Sequence, residues 1–499
     1  MSRGRQAGCS EYAPQGSPFP RRYRPVTLQS DVLKSDGVGL LGAVTFGVVM
    51  LSPAMTIYGN FGPAFVAAGH AATLAFVLAL LATLPTAVSY ALLSRDCPSA
   101  GSAADWMAKA TSDTIGTWAG WITFSYYFNN YILQPITLGV FLGDLLTILG
   151  IHPGYWSFGL GAVLCTLWPA RIAYRGITHS TRGAFGFLLF ESLVVVLLCA
   201  TVAWVVGQQA GASALTLRGF TLAGSPEGSP GIFRAMIFGL LAFCGFDVIS
   251  TLSEEAKLSR RMIPQATFWA LGTFGLFIIG GVWILTHAVP LDVIRRVTAA
   301  GGMPITQIAQ QYWGRWAVLI PLTAISASLG IAIATSVGAS RVLFSMGRAG
   351  LAPRQFSALH PRFQVPWNAM HLIFAGGLLA ALLTAAVLGP YNTFVFWGTT
   401  STFFAMLTYL MVHFANLILF RARARSSLRG FFLHALVPLF GIAVDLYILI
   451  RAFLIELWNQ GWASGRAAIV FDVGWAIVFA LAALWRTRRK APAPSDARQ

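Results

Sequence analysis

Apolar residues run along this chain in long blocks, separated by short turns that are polar and basic. A block of about twenty apolar residues is long enough to cross a bilayer as a helix. Twelve such blocks are read, at about 38–68, 72–94, 116–147, 156–174, 183–207, 231–256, 265–290, 315–346, 367–388, 391–420, 430–455 and 467–486. The pattern predicts an all-helical, polytopic membrane protein with a core over 38–420 and a closing pair of helices over 430–486. Residues 1–37 are too polar, and stand too far from the first apolar run, to be a cleaved signal peptide. They read as a disordered cytosolic tail, and residues 487–499 as a second tail.

Two of the blocks are interrupted. The run from Gly231 to Thr267 begins as an apolar helix, meets Cys244-Gly245-Phe246-Asp247, and continues through a polar half to Glu254-Glu255 and the basic turn Lys257, Arg260 and Arg261. A glycine beside an aspartate at membrane depth is costly unless other protein or a cavity satisfies what it exposes. The first block carries Ser52-Pro53-Ala54 at its middle, where proline removes a helical donor and clashes with the preceding turn. The breaks are five spans apart. They occupy equivalent places if spans 1–5 and 6–10 are halves of opposite topology, a layout that puts a binding site between the halves.

Composition narrows the class. Of the 499 residues 56% are hydrophobic and only 10% charged, with mean hydropathy +0.67; soluble domains carry roughly 25% charge, so an ordinary globular enzyme is excluded. The net charge of +17 raises nucleic acid as a partner, but the basic residues sit in the short turns. With alternating spans, 27 of the 34 fall on one side, which predicts both termini in the cytosol; the expected location is a plasma membrane, the inner one in a bacterium. Cys9, Cys97, Cys165, Cys199 and Cys244 form no CxxC pair and read as unpaired thiols. His287, His371, His413 and His434 are scattered without metal-ligand spacing, and no cofactor is implied. No HExxH or GxSxG motif supports an enzyme, and paired broken helices do not suit a channel.

Three stretches resemble the amino acid–polyamine–organocation permeases. GFDVISTLSEEAKLSRRMIPQAT, from Gly245, is similar to that family's sixth-helix signature; SRVLFSMGRAGLAP, Ser340 to Pro353, to the block after its eighth helix; and PSAGSAADWMAKAT, Pro98 to Thr111, to the stretch between helices two and three. The resemblance implies a LeuT-like fold of twelve helices, a five-plus-five inverted repeat with helices 1 and 6 broken, and alternating-access transport of amino acids or polyamines. MLSPAMTIYGNFG and the GFD–TLSEE run resemble the putrescine-importer branch. In one departure, Asn130 precedes Tyr131 where putrescine importers carry an acid.

The residue types at the breaks suit a small organic amine. Carbonyls around Phe243, Cys244 and Gly245, with the Asp247 carboxylate, offer acceptors to an ammonium group. The half-helix N-terminus at Ser52, Pro53, Ala54 and Met55 offers N–H groups and a positive dipole end to a carboxylate. Using both sets fits an amino acid. A diamine would use only the first, with aromatic faces from Tyr58, Tyr126, Phe246 and Trp397. Asp247 has a second reading, as the cap of the following half-helix. Glu254 and Glu255, with Arg341 nearby, read either as a cytosolic gate or as a solvated helix end. For coupling, Glu191, Asp445 and Asp472 are intramembrane acids and so candidate proton carriers, with Asp445 and Asp472 read preferentially as neutral or hydrogen-bonded structural acids; Thr335 and Ser336 resemble part of the sodium site of sodium-coupled relatives. The expected partners are an organic amine, a coupling ion, with proton preferred to sodium or exchange, and lipid.

Overall fold

The computed structural model describes residues 48–175, 177–210, 215–251, 262–460 and 465–490. Residues 1–37, residues 491–499 and the Glu254–Glu255 pair lie outside them, whereas residues 487–490, expected in the second tail, continue the last helix. No strand occurs among the described residues, as the hydropathy blocks require. The helices used below are α1 (Pro53–Ala68), α2 (Ala72–Asp96), α3 (Ala103–Ala110), α4 (Asp113–Ile148), α5 (Tyr155–Ala173), α6 (Ile177–Ala210), α7 (Ser229–Phe243), α8 (Val248–Thr251), α9 (Met262–Leu285), α10 (Leu319–Arg348), α11 (Trp367–Leu388), α12 (Pro390–Leu419), α13 (Val437–Ile448) and α14 (Ala467–Lys490).

Ten stretches among the described residues are long and apolar enough to cross a membrane. Val48–Asp96 counts as one of them, although a tight turn at Gly69–Ala71 divides it between α1 and α2. Gly69 sits at φ +56° and its N–H reaches the Phe65 carbonyl, a left-handed helix end that glycine adopts without strain.

α4 is the centre of the bundle. Nearly every residue from Gly116 to Phe141 is buried, and α3, α5, α10, α11, α12 and α14 all pack against it. With no hydrophobic force between helices in lipid, close approach depends on small residues. A Cβ on Gly161 of α5 would lie 2.7 Å from Gly139 Cα on α4, and a Cβ on Gly377 of α11 would lie 2.3 Å from the Tyr131 ring. The outer faces carry exposed Trp168, Trp204, Trp269, Trp475 and Trp485, apolar surface of a kind that suits lipid rather than water. α7 packs directly on α1, so the two interrupted helices are neighbours.

Cys165, Cys199 and Cys244 are free and buried, as expected. Cys97 is disulfide-bonded, which corrects the expectation for that thiol. Sequence spacing tests only near neighbours for pairing.

The glycine contacts make a paired prediction. Gly377→Ala must displace the Tyr131 ring and should destabilise the protein by about 1–3 kcal/mol. Gly272→Ala, on α9 with no atom within 4 Å of its Cβ position, should be neutral or slightly stabilising. Thermal midpoints of the two purified variants check this, and equal midpoints would contradict it.

Candidate functional site

Helix 1 is interrupted at a single residue. Residues 48–51 are helical, Ser52 takes φ 26° and ψ 113°, and the helix resumes at Pro53, whose missing N–H suits a first helical position. Ser52 caps the resumed helix: its Oγ accepts from Met55 N at 3.2 Å and donates to Glu191 Oε2 at 2.8 Å. Glu191 is buried on α6 and also accepts from Ser326 of α10 at 3.5 Å. A carboxylate therefore already stands beside the half-helix N-terminus expected to meet a substrate carboxylate, and Met55 N–H is already satisfied.

The second interruption is wider. α7 ends at Phe243, Cys244 is extended, Gly245 sits at φ +125°, and α8 starts at Val248. Among the described residues, no backbone N–H pairs with the carbonyl oxygens of Phe243 or Cys244. Asp247 holds the turn. Its Oδ1 accepts from Gly245 N at 3.2 Å, Tyr126 OH at 3.0 Å and Tyr409 OH at 3.2 Å, and its Oδ2 accepts from Tyr127 OH at 2.5 Å. Four donors thus surround one buried carboxylate, and the tyrosines come from α4 and α12. Phe246 packs its ring against Tyr90 and Tyr409 at 5.8 Å.

The two breaks touch. A Cβ on Gly245 would lie 2.4 Å from Met50 Cγ, so only glycine admits helix 1 at this point. Beside the contact is a cavity of about 40 Å³. Helix 1 contributes Met50, Leu51, Met55, Thr56 and Asn60 to its wall, helix 6 Leu241 and Cys244, and α4 Asn130 and Gln134. Its polar groups are amides, a hydroxyl and a thiol, with no charged side chain in the wall. Gln134 Nε2 donates to Asn130 O at 2.9 Å, while its buried Oε1 has no partner.

Of the residues read from sequence, Met55, Asn130 and Cys244 line this cavity; Ser52, Pro53 and Ala54 form the first break beside it; and Phe243, Gly245, Phe246, Asp247 and Tyr126 form or brace the second. Two aromatic candidates lie elsewhere. Tyr58 takes a 3.2 Å hydrogen bond from Thr323 and stands 6.3 Å from the Phe141 ring. Trp397 donates to Thr384 at 3.0 Å and packs on Phe471 of α14, in a seam between helices. Thr335 and Ser336 turn their hydroxyls onto Ile331 and Ile333 carbonyls of their own helix. Arg341 is buried and donates to Val337 O at 3.3 Å. Sequence reading missed Tyr127, Tyr409, Asn60 and Gln134. Tyr127, adjacent to Tyr126, could have been found; nothing near Tyr409 marks it.

The three stretches that carry the family resemblance meet at one end of the bundle. Ser102 Oγ lies 2.9 Å from Ser250 Oγ of α8, and buried Asp105 of α3 accepts from Ser99 and, at 2.6 Å, from Ser345 of α10.

Comparison with known proteins follows from this geometry. A family model described as amino acid permease matches residues 41–481. The low-affinity putrescine importer PlaP of Escherichia coli is 27% identical over 415 residues, covering 81% of this chain and 85% of that protein. The branched-chain amino acid permease BcaP of Bacillus subtilis is 27% identical over 358 residues, covering 68% and 73%. The fold is shared with MhsT, solved with L-phenylalanine, at TM-score 0.57 and 16% identity over 85% of this chain and all of that one. An Eremococcus coleocola manganese transporter gives TM-score 0.55 at 12% identity over 92% of this chain and 99% of that one.

Gly245→Ala combines a left-handed backbone with a clash on Met50, and strain of this kind costs about 1–3 kcal/mol. A lowered thermal midpoint in the purified variant is the expected result; an unchanged midpoint would mean that the breaks do not pack together.

Proposed function

The chain belongs to the amino acid permease family, and on that footing we propose that it carries an amino acid or a polyamine across the membrane by alternating access, coupled to a proton. The observation that supports this reading is the side-by-side placement of the two breaks around a cavity of about 40 Å³. That volume is far below the roughly 300 Å³ of small-molecule pockets, so we read the arrangement as a contracted state. Separation of Met50 from Gly245 would enlarge it. The carbonyls of Phe243 and Cys244, which take no backbone N–H among the described residues, then receive the ammonium group, and the neutral amides of Asn60, Asn130 and Gln134 receive the remainder.

In this reading Asp247 fixes the shape of the turn through its tyrosines and adds a negative field beneath the ammonium site. The wall holds no acid, so beyond the field of Asp247 a dication lacks a partner for its second charge. That favours an amino acid. The putrescine reading is retained because a putrescine importer is among the similar proteins.

Glu191 is proposed as the proton carrier. It is a buried carboxylate hydrogen-bonded to the break in helix 1 and close to α10, so its protonation would release Ser52. Twelve crossings are proposed, the ten apolar stretches with Val48–Asp96 divided at Gly69–Ala71 and Tyr155–Ala173 added. They are arranged as two inverted five-helix halves and a closing pair. Both termini are placed in the cytosol by the basic residues.

Uptake of labelled amino acids and putrescine into proteoliposomes under an imposed proton gradient tests the proposal, with arginine, putrescine and neutral amino acids as competitors. Asp247→Asn should reduce uptake at least roughly tenfold, the effect of losing a charge-assisted interaction, without loss of membrane insertion. Full activity in that variant would remove Asp247 from the site. Glu191→Gln should still bind substrate but should no longer accumulate it in response to an inward proton gradient. Accumulation driven by a sodium gradient alone would replace the proton with sodium.

A further inference from the structure

His413 lies fully buried on α12, one helical turn beyond Tyr409, which holds Asp247. Its Nε2 meets Thr86 Oγ1 at 3.1 Å and its Nδ1 meets Ser89 Oγ at 3.0 Å, both on α2. Asp445 of α13 places Oδ2 at 3.6 Å from Nε2, within ion-pair range but too long for a hydrogen bond. Both Asp445 oxygens are buried and without a hydrogen-bond partner. Gly441, one turn earlier on α13, admits the ring: a Cβ there would lie 2.2 Å from it.

Polar contacts continue from this pair. Asn416 Nδ2 donates to Ser89 Oγ at 3.1 Å, and Asn416 Oδ1 lies 2.9 Å from His434 Nδ1. Beyond His434 stand Asp96, Arg95 and Arg423, joined as ion pairs. The other titratable groups around His413 are tyrosines: Tyr90, next to Ser89 on α2, stacks edge-on against Tyr409 at 5.9 Å.

Three features make this more than a packed histidine. A bare carboxylate in an apolar seam costs several kcal/mol, so Asp445 requires either a proton or a cationic partner at His413. Serine and threonine hydroxyls both donate and accept, so Thr86 and Ser89 can satisfy both ring nitrogens whether the imidazole is neutral or charged. The ring stands one turn from the tyrosine that braces the helix 6 break, so movement of α12 at His413 is carried to Asp247.

We propose that His413 and Asp445 form a proton-binding site outside the substrate cavity, and that its occupancy sets how firmly Tyr409 holds Asp247 and hence the pH dependence of opening at the helix 6 break. With one proton the pair is neutral and α2, α12 and α13 stay in contact. A second proton leaves an imidazolium without a counter-charge in the seam, loosens the contact, and relaxes the brace on Asp247. The site is separate from Glu191, which lies against helix 1 on α6.

The full-length protein in lipid nanodiscs provides the test. Infrared difference spectra between pH 8 and pH 5 should show a buried carboxyl band that is absent from Asp445→Asn, retained though shifted in Asp445→Glu, and displaced in midpoint by at least about one pH unit in His413→Gln. Substrate exchange measured at equal pH on both sides should follow the same midpoint in the wild type and lose that midpoint in Asp445→Asn, any dependence due to Glu191 remaining. A folded Asp445→Asn with the wild-type band and pH profile would overturn the proposal. Should that variant not fold, the apolar replacement His413→Leu with Asp445→Leu serves, because buried ion pairs tolerate such exchange. Loss of the midpoint supports the site and a wild-type profile overturns it. The infrared titration needs no substrate, so it stands or falls independently of the transport reading.

Discussion

A main chain that leaves its helix inside a bilayer must find other partners for its polar groups, and this constraint governs the whole molecule. At Ser52 the demand is met within a few residues, by one side chain that caps the resumed helix and by the prolyl nitrogen that needs no partner. At Cys244–Asp247 local chemistry is insufficient. The turn persists because one buried carboxylate collects a backbone N–H from its own turn and three tyrosine hydroxyls from two other helices. Charge-assisted hydrogen bonds of this kind are about twice as strong as neutral ones. The fold around the break is organised to deliver those hydroxyls.

This arrangement changes the role assigned to Asp247. Read from sequence it was an acceptor for an amine or a cap on the next half-helix; in the structure its carboxylate accepts from Gly245 N–H, on the preceding side of the break, and from three tyrosine hydroxyls. It braces the turn, and among the described residues the buried carbonyls of Phe243 and Cys244 take no backbone N–H. Recognition by backbone dipoles and neutral amides, as proposed above, would place little constraint on side-chain charge. That is in keeping with a family whose similar members include a putrescine importer, a branched-chain amino acid permease and a methylthioribose transporter.

Buried acids in this protein differ by what surrounds them. Glu191 is hydrogen-bonded to hydroxyls on helix 1 and α10, Asp247 is surrounded by four donors, and Asp445 has a histidine within ion-pair range and no hydrogen bond. The first adjoins the break in helix 1, the second holds the break in helix 6, and the third faces a histidine without a hydrogen bond. Buried carboxyl groups at membrane depth thus stand in three different surroundings, decided by their neighbours.

Hydropathy alone determined that the chain is helical and membrane-spanning, because blocks of this length and apolarity have no other stable environment. Local chemistry also located both breaks, through a proline at the middle of one apolar block and a glycine beside an aspartate in another. Sequence could not say which distant groups answer those breaks. Tyr409 is 162 positions from Asp247 and carries no local signal. Trp397, placed at the pocket by residue type, lies instead in a seam with Phe471. His413 and His434 look scattered along the chain, yet Ser89 and Asn416 join them into one polar cluster. Periodicity records what a residue does to its own helix, whereas partners contributed by other helices are fixed only when the bundle closes.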